Sequence, residues 1–223
     1  MTLASRDPLV RAVFVLTLTT GLVDAVSYLG LGHVFTANMT GNVVLLAFGI
    51  AGSGGLPVVG PVVSLCSFLV GAGGGGRLAA RVAERQSHHM SLALVIEASL
   101  IGAAAVTAAA IDVHPGAASG YAVIALLALA MGVRNATVRR IGVPDLTTTV
   151  LTMTLTGLAA DSPPAGGSGK GTVRRSAAAL AMFAGALSGA LLLKTSLVLP
   201  LVAAAGLALA TWLVYVPAAR GLA

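Results

Sequence analysis

Apolar residues follow one another in long runs along the chain, separated by short breaks that are basic or rich in glycine and proline. A membrane-spanning helix needs about 20 apolar residues, and six runs meet that length: 10–31, 57–77, 90–111, 116–135, 174–193 and 196–217. Two other runs, 39–53 and 147–160, are shorter. The pattern predicts an all-α fold, a polytopic membrane helix bundle with six full spans and two short half-helices.

Composition excludes a soluble enzyme. Hydrophobic residues make up 57% of the 223 residues and charged residues 9%, whereas soluble domains carry about 25% charged residues. The formal net charge is +6, but the basic residues lie between apolar runs, where they orient membrane helices, so no nucleic-acid partner is predicted. The sequence contains no nucleophile–base set and no cofactor or metal motif, so we expect neither an enzyme nor a bound cofactor or metal.

The distribution of Lys and Arg distinguishes two topologies. If both short runs cross the membrane, the basic residues divide six to seven between the two sides. If both return to the side they entered from, the division is twelve to one, with Lys194 alone outside. Basic residues of short loops favour the cytoplasm, so re-entrant short helices are predicted. A crossing made of a strand and a half-helix is the alternative.

An internal repeat supports this interpretation. The similar segments are 21–25 with 132–136, 36–40 with 148–152, and 71–75 with 185–189, at offsets of 111, 112 and 114 residues. We interpret residues 1–112 and 113–223 as two repeats of one transmembrane domain, each with three spans and one short helix. An odd number of spans inverts the second repeat, as in many secondary transporters. Chance similarity between apolar segments is the alternative.

Two polar segments, 35–42 and 145–154, lie at the beginnings of the short helices. Thr and Asn side chains cap the N–H groups of a helix start, and lipid cannot satisfy those groups for a helix that begins inside the membrane. Two such starts meeting at mid-membrane would favour an anion or a carbonyl-rich solute. Helix–helix hydrogen bonding is the alternative role. The candidate binding residues are Thr36, Asn38, Thr40, Gly41, Asn42, Thr148, Thr149 and Thr152.

Ionisable residues inside the predicted spans add further candidates. Asp24 lies within the first span, and Asn135 is its counterpart in the second repeat. Intramembrane carboxylates are costly and mark solute or proton pathways, so Asp24 is predicted to bind substrate and couple transport to protons. Glu97 is either a similar group or one that extends to the membrane surface. Arg134, at the predicted end of its span, either attracts an anion or anchors the helix.

The string Gly21-Leu-Val-Asp-Ala-Val-Ser-Tyr-Leu-Gly30, followed by Val34-Phe-Thr-Ala-Asn-Met-Thr-Gly-Asn42, resembles the signature of the YoaK-like family. Segments 132–136 and 139–148 resemble that family's second motif, and Met153 departs from it where the family often has Gly. The family consists of bacterial inner-membrane proteins with a domain of unknown function. The resemblance covers nearly the whole chain and implies a multi-pass membrane protein without an established substrate.

The leading hypothesis is a membrane transporter or channel-like permease for a small polar solute, with an anion and proton coupling favoured. The alternative is a non-transporting membrane scaffold or assembly partner. The expected partners are the lipid bilayer, the solute and a second copy of the chain in a homodimer. The expected location is the bacterial inner (cytoplasmic) membrane, with multiple spans and both termini in the cytoplasm.

Overall fold

The computed structural model describes the backbone of residues 8–81, 86–141 and 151–220, and side chains in these ranges except at 8–9, 86–87, 141 and 215–220. The described residues form eight α-helices and no strand, which confirms the all-α prediction. The helices are α1 Pro8–Gly30, α2 Met39–Ile50, α3 Val59–Arg81, α4 Gln86–Ala110, α5 Ala118–Ile141, α6 Leu151–Ala160, α7 Thr172–Leu193 and α8 Val198–Arg220.

Helix length separates two groups. Helices α1, α3, α4, α5 and α7 are long and apolar enough to cross a membrane, and α8 contains a shorter apolar stretch, Val198–Val214. Helix α2 has 12 residues and the described part of α6 has 10, so they extend about 18 and 15 Å, well short of a hydrocarbon core of roughly 30 Å. The chain is therefore a helical, multi-pass membrane protein, as its composition predicts.

Small residues hold the closest helix pairs together. Helix α3 packs along α5, and α1 packs along α7. The glycine–backbone contacts are Gly71 with Leu129, Gly75 with Val133 and Gly132 with Ala72 between α3 and α5, and Gly185 with Leu18, Gly189 with Leu22 and Gly21 with Ala186 between α1 and α7. Each contact in the first set has a counterpart in the second, and residue numbers rise together along both interfaces. The two helices of each pair therefore run in the same direction.

The end of α1 lies beside the beginning of α3. The loop between α1 and α2 turns back into the bundle, where the Thr36 N–H donates to Asp24 of α1 and the Phe35 carbonyl accepts from Ser64 of α3. Helices α1 and α3 therefore run in opposite directions. Helix α2 also runs opposite to α3, because Asn42 contacts Ser64 whereas Gly49 lies against the chain at Pro57, just before α3.

Helices α4 and α8 complete the bundle. Glu97 of α4 pairs with Arg134 of α5, and His89 lies beside Thr137, so these helices are antiparallel. The Trp212 indole near the end of α8 donates to Ser91 near the beginning of α4 at 2.8 Å. The long helices consequently alternate in direction along the sequence. The largest cluster of buried apolar side chains draws on α1, α4, α5 and α8.

Three predicted boundaries differ by four or more residues, and α3 ends at Arg81 instead of residue 77. Helix α5 continues to Ile141 instead of ending at residue 135. Residues 136–141 add about one and a half helical turns, and Val138 in this extension is buried. Arg134 and Asn135 therefore lie within the helix. Helix α4 begins at Gln86, four residues before the predicted start of its span, so His89 lies on a helix.

We expect Gly71→Ala to destabilise the protein, because its methyl group would overlap the Leu129 backbone in the α3–α5 interface. Overpacking costs about 1–3 kcal/mol or more. Gly74→Ala, on the same helix, is the matched control, since nothing lies within 4 Å of its Cβ position; it should be neutral or stabilising by up to about 1 kcal/mol. Thermal unfolding in detergent measures both, and equal melting temperatures would contradict the assigned interface.

Candidate functional site

Asp24 holds the loop that precedes α2. Its side chain is 5% exposed, and Oδ1 accepts hydrogen bonds from the backbone N–H groups of Thr36 at 3.0 Å and Ala37 at 2.8 Å. The Asn38 amide also interacts with this carboxyl group. A carboxylate that accepts several backbone amides just ahead of a helix is a charge-assisted interaction of the strong kind. Asp24 therefore occupies the anion position at the beginning of α2.

Asn42 fixes the same loop from the other side. Its Oδ1 accepts from the Phe35 N–H at 2.9 Å, and its Nδ2 donates to the Phe35 carbonyl at 2.6 Å and to Ser64 Oγ at 3.1 Å. Ser64 Oγ donates to the same carbonyl at 2.7 Å. Asn42 is fully buried, so its amide satisfies the backbone of the loop and ties α2 to α3.

The other predicted residues of the first segment have different environments. Thr36 is fully buried, with Oγ1 3.4 Å from Ser27 Oγ. Asn38 is exposed and caps α2, accepting from the Gly41 N–H at 3.3 Å. Gly41 lies against the Phe35 ring, which leaves no room for a side chain. Thr40 is exposed. The structure therefore brings Asp24 and Thr36 together, with the α2 start beside them.

The second predicted segment is described only in part. Thr148 and Thr149 lie outside the described residues, so their role stays a prediction. Thr152 is exposed, as is Met153. Asn135 is half-buried and donates to the Met131 carbonyl at 2.8 Å. Over their described residues, α2 packs on α3 and α6 on α7, without an extensive α2–α6 interface.

A buried ion pair joins α4 and α5. Arg134 is 2% exposed and Glu97 is 1% exposed. Arg134 Nε donates to Glu97 Oε2 at 2.8 Å, and Nη2 donates to Oε1, which makes a two-point contact. Neither an anchor at the helix end nor a carboxylate reaching for the membrane surface fits this arrangement, so both of those alternatives are wrong.

Arg134 also reaches α1. Its Nη1 donates to the Leu16 carbonyl and to Thr20 Oγ1, each at 2.8 Å. Four of its donor contacts are thus made inside the protein, and three helices meet at one guanidinium. Leaving a buried charge without its partner is strongly destabilising, so this contact fixes α1 against the α4–α5 hairpin.

A small cavity adjoins the ion pair, with room for roughly one water molecule. It is lined by Leu16, Met90, Ala93, Leu94, Glu97, Arg134, Thr137 and Val138. Its lining follows α4 from Glu97 back toward Met90. Beyond it, His89 is 4% exposed, and its Nε2 lies 3.5 Å from Thr137 Oγ1. The cavity lining from Glu97 toward the beginning of α4 is thus mainly apolar, with Thr137 as its polar member on α5.

Sequence reasoning selected Asp24, Glu97 and Arg134 singly but missed their arrangement. The signal for the Glu97–Arg134 pair is their position: α4 and α5 are joined by a short connection, and each residue lies a similar number of turns from it. Thr20 and Ser64 were missed because a lone hydroxyl in an apolar helix carries no signal of its partner. Among the described residues, no cluster of His, Cys, Asp or Glu is suited to a metal ion.

The fold and this charged interior define a polytopic helical membrane protein. The family described as "Protein of unknown function (DUF1275)" matches residues 12–214, so the chain belongs to that family. It is also similar to the "UPF0700 transmembrane protein YoaK" of Bacillus subtilis (strain 168), with 32% identity over 151 residues, 66% of this chain and 64% of that protein. The match thus spans somewhat less than two thirds of that relative. No solved structure matches.

We expect Asn42→Ala to destabilise the protein, because it removes the side chain that satisfies the Phe35 backbone. A buried group left without a hydrogen bond costs about 1–3 kcal/mol. Asn38→Ala is the control: it removes an exposed cap four residues earlier, worth about 1 kcal/mol or less. Unfolding in detergent should rank Asn42→Ala well below Asn38→Ala, and the reverse order would refute the assigned role.

Proposed function

We propose that this protein is a secondary transporter or channel-like permease of the bacterial inner membrane, without enzymatic activity, that moves a small polar solute, preferably an anion. One observation carries the proposal: an internal carboxylate, Asp24, binds backbone amides of the loop just ahead of a short helix inside the bundle. Short helices that begin inside the membrane are typical of secondary transporters, and their N-termini point at anionic substrate groups.

The amide groups ahead of α2 are suited to an exchange of anions. They carry partial positive charge, and the helix dipole adds to it. A solute carboxylate or other oxyanion can take the place of Asp24 there, since both offer the same acceptor chemistry. Thr36, buried beside Asp24, would contribute a hydroxyl to the site, and Asn38 and Thr40 would line its exposed side.

We further propose six spans and an inverted repeat. The alternating helix directions support this, because α1, α3 and α4 have counterparts of opposite direction in α5, α7 and α8. In this arrangement α2 and α6 return to the side they enter from. Most basic residues, including Arg77, Arg81, Arg139 and Arg140, then share one side with both termini, and Lys194 lies opposite. That side is the cytoplasm by the bias of basic residues.

Cysteine labelling tests this topology. In a Cys66→Ser background, a cysteine at Ser53, in the turn after α2, should react with an impermeant maleimide from outside the cell. A cysteine at Ser162, in the turn after α6, should react only after permeabilisation. Thr195, beside Lys194, is the external control. Labelling of Ser53 and Ser162 from the same face would contradict the inverted repeat.

Reconstituted vesicles test transport. We expect purified protein in proteoliposomes to move at least one anion from a panel of nitrate, phosphate, sulfate and lactate, with and without a pH gradient. Asp24→Asn should lower that flux about tenfold or more, since it changes the charge of the group with which the solute exchanges.

The control for this variant is Thr107→Val. Thr107 is on α4, and its hydroxyl donates to the Ala103 carbonyl at an exposed position. Its flux should equal that of the unmodified protein. Absence of flux for every probe with correctly folded protein, or unchanged flux in Asp24→Asn, would refute the proposal.

A further inference from the structure

The three buried ionisable groups around α1 do not sum to zero charge. Glu97 and Arg134 neutralise one another through their two-point contact. Asp24 is held by backbone amides, which carry only partial charge. With all three groups ionised, the interior therefore carries one excess negative charge, which is costly within a membrane. A second anion entering this region would double that charge unless a positive charge arrived with it.

Arg134 contacts one carboxylate, that of Glu97, and the helix that carries the other, Asp24. It is bound to Thr20, one helical turn before Asp24 on α1. The same guanidinium contacts the Leu16 carbonyl, which also accepts from the Thr20 hydroxyl. Arg134 acts electrostatically on Asp24 in the present arrangement. Transfer to Asp24 would require the guanidinium to leave Glu97 while it stays beside α1.

Glu97 lines the small cavity, and Asp24 does not. The cavity has room for roughly one water molecule and extends along α4 toward Met90. His89 and Thr137 lie beyond, near the end of the bundle where α4 begins. In contrast, Asp24 already binds the amides of Thr36 and Ala37. Glu97 is thus the carboxylate that is next to space for water.

We infer that Arg134 is shared between Glu97 and Asp24, and that Glu97 takes up one proton when an anion displaces Asp24 from the amides ahead of α2. This inference rests on the proposed function and adds the coupling group to it. The anion binds the amides, the freed Asp24 carboxylate attracts Arg134, and Glu97 loses its partner. A proton from the bulk solution then binds Glu97 by way of the cavity, so one negative charge and one positive charge enter together.

The groups that face Glu97 support this assignment. Arg134 faces it from α5, and Asp24 lies beyond that guanidinium on α1. Side chains of α8 are described for Val198–Val214, and none of these is ionisable. On α3, Arg77 and Arg81 are exposed. His89, on α4 itself, is the one other buried titratable group among the described residues near the cavity.

A double-mutant cycle tests the sharing without any solute. In Glu97→Gln, Asp24 should compensate Arg134, whereas the Asp24→Asn, Glu97→Gln double variant leaves Arg134 without a carboxylate. The decrease in melting temperature of the double variant should exceed the sum of the two single decreases by roughly 2–10 °C. Asp161→Asn replaces Asp24→Asn in the control cycle, because Asp161 pairs with Arg175 on another part of the molecule. Additive shifts in both cycles would overturn the inference.

Proton uptake tests the coupling. Proteoliposomes that contain a pH-sensitive dye are given the anion of the panel that the unmodified protein moves, and about one proton should enter per anion. Glu97→Gln should move the anion without a proton. If Glu97→Gln does not fold, the charge-free Glu97→Gln, Arg134→Gln variant replaces it, with the same expected loss. Unchanged proton uptake in either variant would overturn the role of Glu97. Absence of anion flux in the unmodified protein would instead refute the proposed function.

Discussion

The contact between the Asp24 carboxylate and the amides of Thr36 and Ala37 determines how the first half of the chain can fold. Without it, the loop after α1 would leave polar N–H groups inside a bilayer that supplies no hydrogen bonds. With it, the chain can turn back into the bundle and begin α2 at the depth of Asp24. Hydrogen bonds from Asn42 and Ser64 to the Phe35 backbone satisfy the remaining polar groups at this point of the loop. Helix α3 can then start at the same end where α1 finishes.

Much of this fold is readable from the sequence because apolar runs and glycine spacing are local signals. Apart from the end of α5, the boundaries of the long helices lie within four residues of the runs. Gly71, Gly75, Gly185 and Gly189 lie at helix interfaces, as small residues in membrane helices do. The role of Arg134, in contrast, could not be predicted from these local signals. A charge near the end of an apolar run has the pattern of an anchor, and only its pairing with Glu97 on a neighbouring helix makes burial tolerable. Pairing between helices has no period along the chain, so hydropathy cannot reveal it.

The candidate site was predictable in residue type but not in role. Thr36 and Asn42 were selected as solute ligands because Thr and Asn cap helix starts. In the structure, the Asn42 amide hydrogen-bonds to the Phe35 backbone and to Ser64. The Asp24 carboxylate, in contrast, binds the amides where an anion could bind. A sequence pattern can indicate that polar groups are needed at a helix start, but the partner of each group depends on a loop conformation that no local rule specifies. For the second half of the chain, the partners of the polar groups ahead of α6 depend in the same way on residues 142–150.

Two kinds of compensation for buried charge therefore occur side by side in this bundle. Glu97 and Arg134 compensate one another by full charges held in a fixed geometry. Asp24 is compensated by amide dipoles, which any oxyanion can exploit equally well. The first arrangement requires a partner of opposite charge, and the second accepts any oxyanion. Because one guanidinium contacts Glu97 and the helix that carries Asp24, exchange at the amides changes the electrostatic environment of the ion pair. That coupling is a physical consequence of placing an odd number of charges in a medium of low dielectric constant, and it requires no movement of whole helices to begin.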